Sequence, residues 1–240
     1  MAAFVGLLIG TVGVGGVLMV AFLALFGGLS IHQAAATSLF TFLFTGLLGT
    51  WLYYRRGSVD WGLAVPVCAG AVVMGYFGAS AAALVDTRPL SIVIALIIVA
   101  AGLYVLVPPK ITARHRDGRS GSGEQILLSV VGGAAGFGSG FSGAGGPLFS
   151  VPLMVMLGYA PLAAVATSQV LQIIAATSGS LGNLRYGFID WHVAALVTVF
   201  ELAGLIIGVR LAHVASALAL RRLAGVLCII SGGLLLWRSL

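Results

Sequence analysis

Charge is what this 240-residue chain has least of: twelve Lys and Arg and six Asp and Glu, 8% in all. A soluble domain carries about a quarter charged residues, so a water-exposed globule of ordinary composition is excluded. Cysteine is nearly absent too. Cys68 and Cys228 sit alone in separate apolar runs, which excludes a disulfide framework and a cysteine metal cluster and leaves both as small hydrophobes. The four histidines, His32, His115, His192 and His213, fall in loops or at segment ends. None is placed for catalysis, and no cofactor or metal is expected.

What fills the chain is apolar: 60% hydrophobic residues and a mean hydropathy of +1.14. Runs such as "VGLLIGTVGVGGVLMVAFLALFGGL" and "LSIVIALIIVAAGLYVLVP" follow one another from end to end. Each is close to the length, about 20 residues, that crosses a bilayer as a helix. The first run has no basic leader and its glycines recur later, so it reads as part of the fold rather than a signal peptide. The net charge of +6 lies at segment ends and in loops, where it sets membrane orientation and is no footprint of nucleic acid. The fold class is all-α, a polytopic membrane helical bundle of about eight hydrophobic segments. Its surroundings are the lipid bilayer, expected to be the bacterial plasma (inner) membrane. Surfaces that would meet a second copy look like those that meet lipid, so a homo-oligomer stays open.

Sliding the sequence by 130 residues superimposes it on itself without a gap. Gly13, Gly15 and Gly16 fall on Gly143, Gly145 and Gly146, Thr37-Ser38 on Thr167-Ser168, and Gly49 on Gly179. Arg55 falls on Arg185, Gly57 on Gly187, Asp60-Trp61 on Asp190-Trp191, Gly78 on Gly208 and Gly102 on Gly232. About two dozen of roughly 110 aligned positions are identical. A repeat of this kind decides architecture: residues 1–107 and 125–240 are two homologous halves of four segments each. The segments expected are 2–27, 33–54, 62–85 and 89–107, then 125–157, 162–184, 191–213 and 216–237. Residues 108–124, polar, basic and rich in Gly and Ser, read as an exposed linker.

Two topologies are open. If all eight segments cross, the lysines and arginines divide eight to four between the two faces. If the first segment of each half enters and leaves on one side, they divide nine to three, which the positive-inside rule favours. That version leaves three crossings per half and makes the repeats inverted, as in many transporters. Residues 126–158 as one helix would also measure about 50 Å, too long for a core of about 30 Å.

The glycines explain the second version. "GFGSGFSGAGGPLFSVP" holds glycine at 136, 138, 140, 143, 145 and 146 and proline at 147 and 152. In hydrocarbon, irregular backbone is tolerated only within protein or beside a cavity. Pro147 suits the first position of a new helix, where its missing N–H costs nothing. Half-helix N-termini meeting near the bilayer centre present N–H groups and positive dipole ends, an anion site without formal charge. Close helix packing is the plainer use of glycine in membranes. A glycine cluster at the same place in both halves favours the break.

"GVGGVLM" and "GAGGPLFSVPLM", each followed by "AAATS" or "AVATS", together with "RRGSVDW" and "LRYGFIDW", resemble the sulfite exporter TauE/SafE family of membrane transporters. The resemblance covers nearly the whole chain except the linker. It implies movement of small sulfur-containing or organic anions such as sulfite, thiosulfate, sulfoacetate or sulfolactate. Two positions depart from the family's pattern. Its third glycine is Val17 in one half and Pro147 in the other, and the proline found as Pro152 is Phe22 in the first half. A less sharply broken first half is therefore expected.

Polar residues within the apolar runs complete the candidate site. Thr37 and Ser38 in the first half, and Thr167, Ser168, Gln169 and Gln172 in the second, are expected to contact the small anionic substrate alongside Gly13, Gly15, Gly16, Gly143, Gly145, Gly146 and Pro147. Interhelical hydrogen bonding is the competing role for the hydroxyls and amides. Glu201 is the one acidic residue that falls mid-segment, where a carboxylate is costly and usually functional. It is the candidate for coupling transport to a proton. Asp60-Trp61 and Asp190-Trp191 sit where helices begin and read as caps and interfacial anchors.

The function expected is secondary transport of a small anion by alternating access. A passive anion channel could use the same broken helices. An intramembrane serine protease is the remote alternative, since "GFSG" at 140–143 resembles a nucleophile motif. That chemistry needs a base beside Ser142, and no histidine lies mid-segment. No enzymatic activity is expected.

Overall fold

The computed structural model describes residues 1–13, 15–106, 122–186, 188–214 and 218–239. Most of the expected linker, with His115, lies outside the described residues. Every element among those described is helical: α1 (Ala2–Val12), α2 (Gly16–Phe26), α3 (Ile31–Tyr54), α4 (Trp61–Ala83), α5 (Thr87–Leu106), α6 (Ser122–Ser142), α7 (Pro147–Met156), α8 (Pro161–Leu184), α9 (Trp191–Val214) and α10 (Leu218–Ser239). Six helices, α3, α4, α5, α6, α8 and α9, are long and apolar enough to cross a bilayer within their described residues. The bundle is that of a multi-pass integral membrane protein.

The expected segments 2–27 and 125–157 are each two helices. α1, α2 and α7 have only 10 or 11 residues, about 15 Å at 1.5 Å per residue, half the hydrocarbon thickness. The chain can break there because Gly13 and Gly143 take left-handed φ of 76° and 68°, which a side chain would strain. The longer helices start where the sequence caps them. Ser30 Oγ accepts from Gln33 N–H while Gln33 Oε1 accepts from Ser30 N–H, a capping box. Asp60 and Asp190 accept from Gly62 and Val193.

One hydrogen bond fixes the path of α6 and α7. Tyr159, just past α7, donates its hydroxyl to Glu124 in the first turn of α6, 2.5 Å away. The chain that leaves Glu124 therefore returns to it, and the pair forms a hairpin. In the first half, α1 lies along α9 in the same direction, Gly6 against Glu201 and Gly10 against Leu205 and Val209. The end of α2 meets the end of α10, where Arg238 donates to the carbonyls of Ala24 and Leu25.

The same contacts recur 130 residues later. Gly136 packs on Ala71 and Gly140 on Gly75 and Ala79, so α6 lies along α4 as α1 lies along α9. α3 and α8 cross in opposite directions, with Gly49 on Gln169 and Gly179 on Leu39. α5 and α10 also run oppositely, Gly102 facing Gly225 and Cys228, and Gly232 facing Ala95 and Val99. Small residues at these crossings let backbones touch, the usual source of helix association in lipid.

Candidate anion site at the helix breaks

The two breaks meet in the middle of the protein. A Cβ on Gly13 would lie 3.0 Å from Val151 and 3.4 Å from Pro147 of the opposite break. One on Gly16 would collide with the carbonyl of Ala144 and the ring of Phe42. Gly145 faces the same ring, and Gly146 faces Leu171 and Gln172. Phe42 and Gln172 sit at the midpoints of α3 and α8, so the starts of α2 and α7 lie at mid-depth of the bundle, while Gly13 and Gly143 reach Val165 and Ala35 near the beginnings of α8 and α3. Every sequence-predicted substrate residue is buried there: Gly13, Gly15, Gly16, Thr37, Ser38, Gly143, Gly145, Gly146, Pro147, Thr167, Ser168, Gln169 and Gln172.

The carbonyl ends of the broken helices find partners. The last four carbonyls of a helix have no donor within it, and in lipid each needs one. For α1, Gln169 Nε2 donates to Ile9 O (3.4 Å) from α8, and Tyr53 donates to Gly10 O (2.6 Å) from α3. For α6, Gly143 N–H donates to Ser139 O (2.9 Å), and Ser142 Oγ donates to Gly138 O one position earlier (2.7 Å) and accepts from Ala144 N–H (3.3 Å). Ser142 thus closes a helix end, and its hydrogen bonds go to Gly138 O and from Ala144 N–H, with none to the described histidines 32, 192 and 213. The geometry of a serine nucleophile is missing among the described residues.

The amide ends are different. Neither Gly15, which precedes α2, nor Gly146, which precedes α7, is accompanied by a side-chain cap. Leu18 N–H turns back to Gly15 O, and Phe149 and Ser150 N–H turn back to Gly146 O. Two helix starts without side-chain acceptors therefore stand together in a buried, uncharged region, positive dipole ends inward.

The polar side chains divide into two groups. Thr37 accepts from Asp190 N–H at the start of α9, Gln172 ties α8 to α3 through Phe42 O and Thr45 Oγ1, and Ser168 donates to Val165 O. These three make the interhelical and local bonds that compete with substrate contact. Ser38 Oγ, Thr167 Oγ1 and Gln169 Oε1 are buried without a partner, as is Ser139 Oγ. Buried polar atoms are rarely left so; three of the four belong to predicted site residues, and Thr50, Ser80, Ser180 and Glu201 also carry unpartnered oxygens.

Glu201 is wholly buried on α9. The hydroxyl of Thr41 on α3 faces its carboxyl, but that hydroxyl donates to Ser38 O at 2.8 Å. Both carboxyl oxygens are left without a partner. Sequence reasoning found Glu201 by its position mid-segment. It missed Tyr53, whose role depends on a carbonyl 43 residues away and carries no local signature.

Uncapped half-helices meeting inside a bundle of membrane-crossing helices define a class: a multi-pass membrane transporter built around broken helices. A family model described as "Sulfite exporter TauE/SafE" matches residues 1–235, and the chain belongs to that family. Among curated proteins it is similar to the "Probable membrane transporter protein YdhB" of Bacillus subtilis (strain 168), 27% identical over 235 residues, 97% of this chain and 96% of that one. It is also similar to the "Probable membrane transporter protein YunE" of the same organism, 27% identical over 220 residues, 80% and 81% of the two chains. No solved structure matches the chain.

Proposed function

We propose that the protein is a secondary transporter for a small anion of the sulfite, thiosulfate or organosulfonate kind, bound where the two breaks meet. The supporting observation is the contact of Gly16 with Ala144, which brings the uncapped starts of α2 and α7 together in the buried core. The N–H groups of Gly16, Val17, Gly146 and Leu148 hold the anion, and the hydroxyls of Ser38 and Thr167 complete its shell, whereas Gln169, whose amide nitrogen is spent on Ile9 O, positions the end of α1. Main-chain N–H groups and helix dipoles can replace part of an oxyanion's hydration shell, and release needs no strong ion pair to break, as it would with a lysine or arginine.

The two halves act as inverted repeats that rock about this point, opening it to one face and then the other. Burial of all thirteen site residues corresponds to the occluded state between these two. Glu201 binds and releases the coupled proton: an unpartnered carboxyl is costly when charged and acceptable when protonated, and α1, which carries the first break, packs on its backbone. Proteoliposomes loaded with a pH gradient test the reading. Accumulation of one of these anions against its gradient supports it, and an ohmic current with no accumulation points to a channel instead.

A further inference from the structure

Three residues in about one turn of α3 look in different directions at mid-depth of the bundle. The Phe42 ring faces Gly16 and Gly145 of the two breaks. Thr41, beside it, turns its hydroxyl toward Glu201 on α9, and Ser38 carries a buried hydroxyl without a partner. Thr41 Oγ1 donates to Ser38 O at 2.8 Å, so a single side chain stands between the acid and the anion site. The other half has no such pair. Leu171 and Ala71 occupy the places that correspond to Thr41 and Glu201 in the repeat. There Ser168 donates to Val165 O, whereas its twin Ser38 makes no bond of that kind.

We infer that Thr41 is the positioning residue through which Glu201 governs anion binding. Its hydroxyl stays on Ser38 O while the carboxyl is protonated and swings to the carboxylate when the proton leaves. This role rests on the reading of Glu201 as the coupled carboxyl. A threonine in a helix divides between two rotamers, because its hydroxyl can bond the preceding turn, so the swing is one χ1 rotation. A hydrogen bond to a carboxylate is about twice as strong as a neutral one, and both Glu201 oxygens lack another partner. Ser38 O keeps its ordinary helix bond from the fourth residue on, so nothing is stranded when Thr41 turns away.

Back-bonding of the Thr41 kind bends a helix. Its release straightens α3 between Ser38 and Phe42 and moves the Ser38 hydroxyl and the Phe42 ring relative to the breaks. The charge on Glu201 thereby changes the fit of the anion, and by linkage the anion changes the hold on the proton. The surroundings leave Glu201 to act by itself. α1, packed on its backbone, carries no titratable side chain, and Met1 before it is exposed. Those of α3 (His32, Tyr53 and Tyr54) and of α9 (His192, Arg210 and His213) stand toward the helix ends.

The test is anion binding by the full chain in detergent as a function of pH. Thiosulfate and a small sulfonate are the probes, because their own charge is constant near neutral pH. Wild-type affinity should fall on the order of tenfold from the acid to the alkaline side. Thr41→Val keeps the shape and removes the donor, so it should cut that ratio to about threefold or less. Thr41→Ala should do the same and reads the site even if Thr41→Val misfolds. Thr41→Ser should restore the wild-type ratio, and Thr50→Val, which removes another hydroxyl of α3, should keep it. A wild-type ratio in Thr41→Val or Thr41→Ala, or a ratio lost in Thr41→Ser, overturns the role of Thr41. If Glu201→Gln flattens the response in the same assay, the proton reading survives that failure. If Glu201→Gln responds to pH as wild type does, the proton reading falls and the role of Thr41 falls with it.

Discussion

The phenol of Tyr53 donates to the carbonyl of Gly10 at 2.6 Å, joining the middle bundle helix α3 to the last turn of the broken helix α1. Tyr53 is fully buried, and no donor within α1 can reach that carbonyl. Replacing it with Phe keeps the ring and strands the carbonyl, at a cost of about 1–3 kcal/mol. Tyr53→Phe should lower the thermal midpoint and reduce transport, whereas Tyr54→Phe, on the exposed side of the same turn, should change neither. An unaltered midpoint in Tyr53→Phe would mean that water or rearrangement satisfies Gly10.

The breaks should tolerate no side chain. Gly16→Ala places a methyl on the carbonyl of Ala144 and the ring of Phe42. Gly145→Leu adds a side chain at φ 84°, with its Cβ 3.1 Å from Phe42, and left-handed backbone alone costs about 1–2 kcal/mol for such a residue. Both variants should lose uptake while still reaching the membrane. Gly123→Ala, with open space at its Cβ, should transport normally. Normal uptake by Gly145→Leu would remove the site from the breaks.

Much of this arrangement was legible in the sequence because glycine and proline carry their backbone preferences with them. The clusters at 13–16 and 143–147 located both breaks, and the excess length of 126–158 pointed to the hairpin. The pairing of α1 with α9 and α6 with α4 was not legible. Glycines such as Gly6 and Gly136 show that something packs closely but not which helix, since in lipid every helix is apolar all round. The fates of Thr37 and Gln172 were hidden for the same reason. A buried hydroxyl or amide looks alike in sequence whether it meets a ligand or a neighbouring backbone.

The hairpin geometry makes a labelling prediction. In a Cys68→Ala, Cys228→Ala background, cysteines at Gly28, Asp86 and Tyr186 should react from one side of the membrane with an impermeant reagent. Cysteines at Ser58 and Gly158 should react from the other. Labelling of Gly158 together with Asp86, and of Tyr186 together with Ser58, would mean that α6 and α7 cross the bilayer rather than return.

Glu201 offers the clearest separation of fold from mechanism. Glutamine keeps its shape and removes its titration, so Glu201→Gln should express and bind anion yet transport with a flattened pH profile. Glu124→Gln, at the membrane face, should retain the pH profile. An unchanged profile in Glu201→Gln would assign the carboxyl a structural role.

The most direct test is a density map of the full chain with whichever anion of a panel of sulfite, thiosulfate, sulfonates and carboxylates stabilises it most. The expected density lies between the starts of α2 and α7, within about 3 Å of main-chain N–H groups and beside Ser38 and Thr167. Density elsewhere on the protein, with the meeting point of the breaks empty, would contradict transport through that point.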